Sequence, residues 1–149
     1  MIPSPGYNSK GERLVAGVVP LTEDRTYVML IQSKRRPGWV LPKGGWELDE
    51  DCPQAAEREA WEEGGILIQI DYDLGDIKET RPPKKHSSKD KESKRSLYRF
   101  YECTVTSEEL EWPEKDKRER KWFTYAEAKE AMKDRPELQE AMERSTMKR

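Results

Sequence analysis

The sequence predicts a single α/β domain with a strand-rich core. Three observations support this prediction. The chain of 149 residues has a length that suits one domain. Short β-rich apolar runs fill its first third, and a helix-forming stretch without breakers follows at 54–63. Because 34% of the residues are apolar and 39% are charged, the core must be compact and the surface strongly ionised.

Most of the predicted elements are strands. The apolar runs that read as strands are 14–19, 27–31, 39–41, 66–70, 74–77, 96–105 and 120–124. Turn-forming residues separate these runs, as Pro42 and the Gly44–Gly45 pair do after the third. The pattern therefore indicates a mixed fold in which strands dominate the middle of the chain.

Three helices complete the prediction. Pro53 suits a first helical position, good helix formers follow it to Glu63, and Gly64–Gly65 provides a stop signal. Two further helices are expected at 125–133 and 136–144, with a break at Pro136. No repeat is present, and we expect one domain over residues 1–149.

The charges are distributed unevenly. Residues 46–63 contain eight acids and one base, whereas residues 78–95 contain eight bases and three acids. The second stretch lacks apolar periodicity and contains Pro82–Pro83, so it predicts a mobile basic loop. A cation site beside a polyanion site would explain the asymmetry. Two solvated surface stretches that never meet would explain it equally.

Several classes of protein are disfavoured by composition. No run approaches the roughly 20 apolar residues of a membrane helix, and the N-terminus lacks the apolar region of a secretory signal. We expect a cytoplasmic, or also nuclear, monomer, although a secreted form stripped of its signal would look the same. One histidine and two cysteines without ligand spacing argue against a zinc site. No RNA-binding motif supports a nucleic-acid partner.

The predicted helix at 54–63 carries an acidic face. Glu59, Glu62 and Glu63 fall within an arc of about 100° on a regular helix. Like charges at this spacing repel one another, and clustering raises their pKa values. A hard divalent cation resolves the repulsion, because magnesium prefers oxygen ligands. The alternative is an exposed acidic helix with Trp61 as its core residue.

The wider pattern favours the metal site. Its specified positions are Gly44, Glu50, Arg58, Glu59, Ala60, Glu62, Glu63, Gly65 and Ile66. This spacing resembles the Nudix box at every specified position, and a chance match is rarer than about one in 10^5 chains. Arg58 could also pair with Glu50 and fix the preceding loop to the helix.

The resemblance implies a Nudix α/β/α sandwich with a mixed sheet, in which the box forms a catalytic loop-helix-loop. It implies that the box glutamates bind Mg²⁺ or Mn²⁺ and activate water, with Arg58 in the catalytic motif. By similarity, Glu59 and Glu63 are the main metal ligands, and Glu62 is the proton acceptor and a further ligand. The backbone carbonyl of Lys43 is an additional candidate ligand.

The flanking residues suggest a substrate. Segments 38–47 and 118–123 resemble the diphosphoinositol polyphosphate phosphohydrolase branch, particularly its fungal members. This resemblance implies hydrolysis of the diphosphate group of inositol pyrophosphates. The substrate-binding positions that it implies are Arg13, Ser33, Lys34, Lys43, Gly44, Gly45, His86, Arg95, Arg118 and Arg135.

Two alternatives remain open at this point. The same chemistry could act on diadenosine polyphosphates, other nucleoside diphosphate derivatives or capped RNA, for which Trp39, Trp46 and Trp112 are candidate adenine platforms. A Nudix fold could instead bind a polyphosphate without cleaving it. Such modules usually lose box acids, and this sequence retains all of them.

Overall fold

The computed structural model describes residues 6–47, 49–79 and 95–149. Most of the predicted basic loop at 78–95, including His86, lies outside this part of the chain. The elements are β1 (Leu14–Leu21), β2 (Val28–Ser33), β3 (Trp39–Val40), β4 (Lys43–Gly45), α1 (Cys52–Gly64), β5 (Ile66–Lys78), β6 (Leu97–Glu108), β7 (Arg118–Phe123), α2 (Tyr125–Ala131) and α3 (Pro136–Arg144).

The strands form one mixed sheet in the order β3-β2-β1-β6-β5, with β4 paired to β1 and β7 paired to β2. The central pair, β1 and β6, is parallel and places Leu14 opposite Leu97. All other pairs are antiparallel. The side of β1 opposite β6 pairs with two strands. Its first half pairs with β4, and Leu21 at its end pairs with Val28 of β2.

Helices cover both faces of the sheet. Alternate residues of β1 divide between two cores, with Val15 and Val19 in one and Ala16 and Val18 in the other. The first core also contains the apolar residues of α2 and α3, and the second contains the alanines of α1. The predicted α/β/α sandwich with a mixed sheet is therefore confirmed.

Two parts of the sheet differ from the prediction. Strand β4 was not expected, because Lys-Gly-Gly has little strand propensity; its pairing with 15–17 of β1 creates it. Strand β5 is continuous, whereas the sequence predicts two strands at 66–70 and 74–77. Its pairing with β6 accommodates the intervening residues through three register shifts, and Gly75 adopts a φ of 83°.

Gly17 allows β4 to lie close to β1. A Cβ atom at this position would lie 2.8 Å from both the Lys43 Cβ and the Pro42 carbonyl oxygen, and 2.6 Å from the Phe100 ring. The absence of a side chain therefore positions the segment that contains Lys43 and Gly44. In the described part of the chain, no helix is both long and apolar enough to cross a membrane.

Candidate active site

Helix α1 is fixed at both ends and along one side. The Asp51 carboxylate accepts a hydrogen bond from the Gln54 N–H at 2.9 Å, and the Gln54 side chain accepts one from the Asp51 N–H at 2.9 Å. Gly65 ends the helix with a left-handed φ of 64°. Fully buried alanines at 55, 56 and 60 let the helix approach the sheet closely. The backbone that carries the three glutamates is thus held rigidly.

The three glutamates differ in their access to solvent. The side chains of Glu59 and Glu63 are only 10% and 12% exposed, whereas that of Glu62 is 32% exposed. All three lie along one side of α1, as the helical spacing predicts. Two carboxylates are therefore buried against the protein, and one remains open to water.

Arg58 connects the helix to the preceding loop. Its Nε and Nη2 donate to the two oxygens of Glu50 at 2.6 and 3.0 Å, and Nη2 also donates to the Gly45 carbonyl at 2.9 Å. Its Nη1 donates to Glu62 at 2.8 Å and to Glu59 at 3.1 Å. The expected pairing of Arg58 with Glu50 is confirmed, and it fixes loop and helix together.

Glu63 lies between β4 and β7. The backbone N–H of Lys43 donates to its Oε1 at 3.0 Å, and Nη2 of Arg118 lies 3.2 Å from its Oε2. Arg118 is itself held by Glu114, whose Oε1 accepts from Nε at 3.1 Å. The carboxylate of Glu63 therefore joins three separate segments of the chain.

Gly44 provides the space that Glu59 occupies. A Cβ atom built at Gly44 would overlap Oε2 of Glu59, so any larger residue there would displace this carboxylate. At the next residue, a Cβ on Gly45 would lie 3.4 Å from Nη2 of Arg13. The glycine pair thus brings one backbone segment between a buried carboxylate and an exposed cation.

Burial makes these carboxylates difficult to ionise. Loss of solvation, followed in importance by the nearby charge of Glu63, raises the pKa of Glu59 to about 7. Burial also raises the pKa of Glu63, although the Lys43 N–H and the Arg118 charge oppose this shift. Full ionisation of both Glu59 and Glu63 at neutral pH is therefore unfavourable in these surroundings.

The donor chemistry of the site fits a hard divalent ion. The oxygens of Glu59, Glu62 and Glu63 are the kind that Mg²⁺ and Mn²⁺ prefer, and burial raises the pKa of Glu59 and Glu63, so that a nearby cation would favour their charged forms. In the observed rotamers, each carboxylate contacts a guanidinium group. Among residues 6–47, 49–79 and 95–149, no three acidic, histidine or cysteine side chains are arranged to enclose an ion. The ligand set thus remains a prediction.

Several predicted substrate residues lie around this cluster. Lys43, Gly44, Gly45 and Arg118 contact the box residues directly, and Arg13 lies beside Gly45. Ser33 lies next to Arg118, because the two residues are paired between β2 and β7. The next residue, Lys34, donates its N–H to the Lys117 carbonyl at 3.0 Å.

Other predicted positions are not part of these contacts. Nε of Arg135 donates to Glu137 at 2.8 Å, and its Nη2 lies 3.5 Å from the Tyr98 hydroxyl. These residues belong to the side of the sheet covered by α2 and α3. Arg95 is exposed just before β6, and His86 lies outside the described residues.

In the segment between β6 and β7, the sequence analysis named Trp112 only as a candidate adenine platform and did not predict the contacts of this segment with Arg118 and Glu63. Glu114 accepts from Arg118, and Nε1 of Trp112 donates to the Glu63 carbonyl at 3.2 Å. Trp112 and Glu63 are 49 positions apart, and no local pattern relates them. Only the folded sheet brings them together.

Comparisons with known proteins agree with this architecture. Residues 11–144 match the NUDIX domain family model. Nudix hydrolase 17, mitochondrial, of Arabidopsis thaliana is 35% identical over 142 residues, covering 86% of this chain and 70% of that protein. Nudix hydrolase 16, mitochondrial, of the same plant is 37% identical over 135 residues, covering 81% and 73%.

Solved structures share the fold at lower identity. A NUDIX hydrolase from Nitrosomonas europaea superposes with a TM-score of 0.71 at 19% identity, over 89% of this chain and 87% of that one. An Ap4A hydrolase from C. elegans gives 0.61 at 20% identity, over 88% and 93%. The fold and the box together define a hydrolase of phosphoanhydride bonds. The chain belongs to the Nudix family.

Proposed function

We propose that this Nudix hydrolase cleaves the diphosphate group of diphosphoinositol polyphosphates, in the presence of Mg²⁺ or Mn²⁺, to give the monophosphate ester and inorganic phosphate. The observation that carries the proposal is the position of buried carboxylates beside cationic groups. Glu63 contacts Arg118 and lies within the electrostatic influence of the Lys43 ammonium group, and Arg13 lies beside Gly45. A polyanion held through metal ions needs both kinds of group.

Glu59 and Glu63 are the proposed principal metal ligands, with Glu62 and the Lys43 carbonyl as further ligands. Bound divalent ions would neutralise the diphosphate and make water easier to deprotonate. The low exposure of Glu59 and Glu63 keeps competing water away from their oxygens. Arg58 holds the loop at Gly45 against α1, so that the loop and the helix act as one unit.

Glu62 is the proposed proton acceptor. It is the most exposed of the three glutamates, and its carboxylate is oriented by Nη1 of Arg58 at 2.8 Å. Glu62 takes a proton from water while the water oxygen forms a bond to the terminal phosphorus. The bond from that phosphorus to the bridging oxygen breaks, and its electron pair leaves with the ester phosphate. Cationic side chains stabilise the charge on the oxygens during transfer.

The packing of the tryptophans favours a substrate that is recognised through its phosphates over one that is recognised through a base. Trp39 packs against Phe123 with ring centroids 5.1 Å apart. Trp112 is covered by the Arg120 guanidinium at 4.2 Å, and Trp46 packs against the core beneath α1. Each candidate adenine platform is thus engaged with the protein, which favours recognition through charge.

A substrate panel tests the proposal. Phosphate release should be measured from diphosphoinositol polyphosphates, Ap4A and ADP-ribose, each with and without Mg²⁺. We expect the inositol pyrophosphates to be the preferred substrates, and activity to require the metal ion. Comparable or faster turnover of ADP-ribose would overturn the substrate assignment, and preferred cleavage of Ap4A would replace it with the dinucleotide alternative.

A further inference from the structure

Helix α1 places two functional acids where a helix least favours them. Glu62 and Glu63 occupy its last turn, which is the negative end of the helix dipole, and that turn contains no basic residue. The last four carbonyl groups of a helix also lack partners within the helix. The end of α1 therefore needs positive charge and hydrogen-bond donors from elsewhere in the chain.

The connection between β6 and β7, together with Arg120 of β7, provides these donors. The backbone N–H groups of Glu114 and Glu109 donate to the carbonyls of residues 62 and 65 at 3.0 and 2.8 Å. Nε1 of Trp112 donates to the carbonyl of residue 63 at 3.2 Å. Nη1 of Arg120 donates to the carbonyls of residues 64 and 65 at 3.0 and 3.1 Å. We name Glu109, Trp112, Glu114 and Arg120 the helix clamp.

The helix clamp is closely packed around the end of α1. The Arg120 guanidinium lies 4.2 Å from the centre of the Trp112 ring, in a cation–π contact. A Cβ atom at Gly65 would overlap that ring and lie 2.7 Å from Nη1 of Arg120. Arg120 thus brings its positive charge directly to the negative end of the helix.

Arg118, the first residue of β7, holds the side chain of Glu63. Nε of Arg118 donates to Glu114, and Nη2 of Arg118 lies 3.2 Å from Oε2 of Glu63. Trp112 in the connection between β6 and β7 thus fixes the backbone of Glu63, and Arg118 at the start of β7 fixes its carboxylate. Neither Trp112 nor Arg120 needs to touch substrate to have this effect.

We propose that Trp112 and Arg120 are positioning residues that set the geometry of Glu62 and Glu63 through the carbonyl groups of the last turn of α1. This inference rests on the proposed function, because it assumes that these glutamates bind metal and accept the proton. Partners of metal ligands commonly change metal affinity or activity about 10- to 100-fold when they are removed.

The experiment compares Trp112→Phe and Arg120→Gln with matched controls. Trp122→Phe removes an indole N–H that donates to Glu108 and not to α1, and Lys121→Gln removes the neighbouring charge on β7. Mn²⁺ affinity should be measured by calorimetry without substrate. Amide hydrogen exchange over 60–65 reports on the helix end, and kcat and KM on the preferred substrate report on catalysis.

We expect Arg120→Gln to weaken Mn²⁺ binding about 10-fold or more, and Trp112→Phe to weaken it less, because this change removes one neutral hydrogen-bond donor and no charge. Exchange over 60–65 should become faster, and kcat should fall more than KM rises. Arg120→Lys, which keeps the charge, should recover part of the affinity and replaces Arg120→Gln if that variant does not fold. Unchanged Mn²⁺ affinity and exchange in the folded variants, or equal losses in the controls, would overturn the positioning role. Absence of Mn²⁺ binding to the unsubstituted protein would instead refute the proposed function.

Discussion

Replacing Glu59 by Gln should stabilise the metal-free protein at alkaline pH. In the unfolded chain this carboxyl ionises at its ordinary pKa of 4.5, whereas burial in the folded protein raises the pKa to about 7. The folded state therefore retains a proton that the unfolded state loses. Between these two values, the free energy of unfolding falls as the pH rises. Glutamine removes this dependence because it does not ionise.

The size of the effect follows from the two pKa values. Each unit of difference corresponds to about 1.4 kcal/mol, and the penalty is nearly complete at pH 8 but mostly absent at pH 5. The gain in stability from Glu59→Gln should therefore be about 2–3 kcal/mol larger at pH 8 than at pH 5. Because the side chain is only 10% exposed, solvent screening reduces this figure little.

Urea unfolding in the presence of a chelator measures the difference. Glu57→Gln is the matched control, since Glu57 lies on the same helix but faces solvent. Addition of Mg²⁺ should stabilise the unsubstituted protein and have much less effect on Glu59→Gln. A stability difference that is the same at pH 5 and pH 8 would refute the argument that ionisation of a buried carboxyl destabilises the metal-free fold.

Two further predictions concern the same site. Glu63→Gln should lower Mg²⁺-dependent turnover about 100-fold while circular dichroism stays unchanged, because it replaces a proposed metal ligand by a neutral amide of similar size that can still accept the Lys43 hydrogen bond; full activity would move the chemistry elsewhere. Gly44→Ala should destabilise the protein by about 1–3 kcal/mol and lower kcat, because its methyl group overlaps the Glu59 carboxylate. Wild-type turnover and stability in Gly44→Ala would contradict the packing argument.

Local signals account for the parts of the fold that the sequence predicts well. Helix α1 was expected because its start signal at Pro53, its uninterrupted run of helix formers and its stop signal at Gly65 are all local features of one short segment. The structure adds the Asp51–Gln54 capping box and begins the helix at Cys52. Strand β4 was missed because its three residues have no strand character, and only their tertiary pairing with β1 defines it.

The same division applies to the candidate site. The contact between Arg58 and Glu50 was predictable because the two residues are only eight positions apart, and one lies in the loop that leads into the helix carrying the other. The contacts of Glu63 with Trp112 and Arg118 connect residues 49 and 55 positions apart, and sequence spacing carries no information about them. Arg135 lies in a contact group with Glu137 and Tyr98, a placement that depends on how α3 packs on the sheet.

The parallel pairing of β1 with β6 has a consequence for how the molecule assembles. Four strands (β2 to β5) and helix α1 lie between β1 and β6 in the chain, so a large loop must close before the middle of the sheet exists. Both β4 and α1 pack on β1. The glutamates and their surroundings should therefore acquire their native arrangement late, at the slow rate typical of chains dominated by distant contacts.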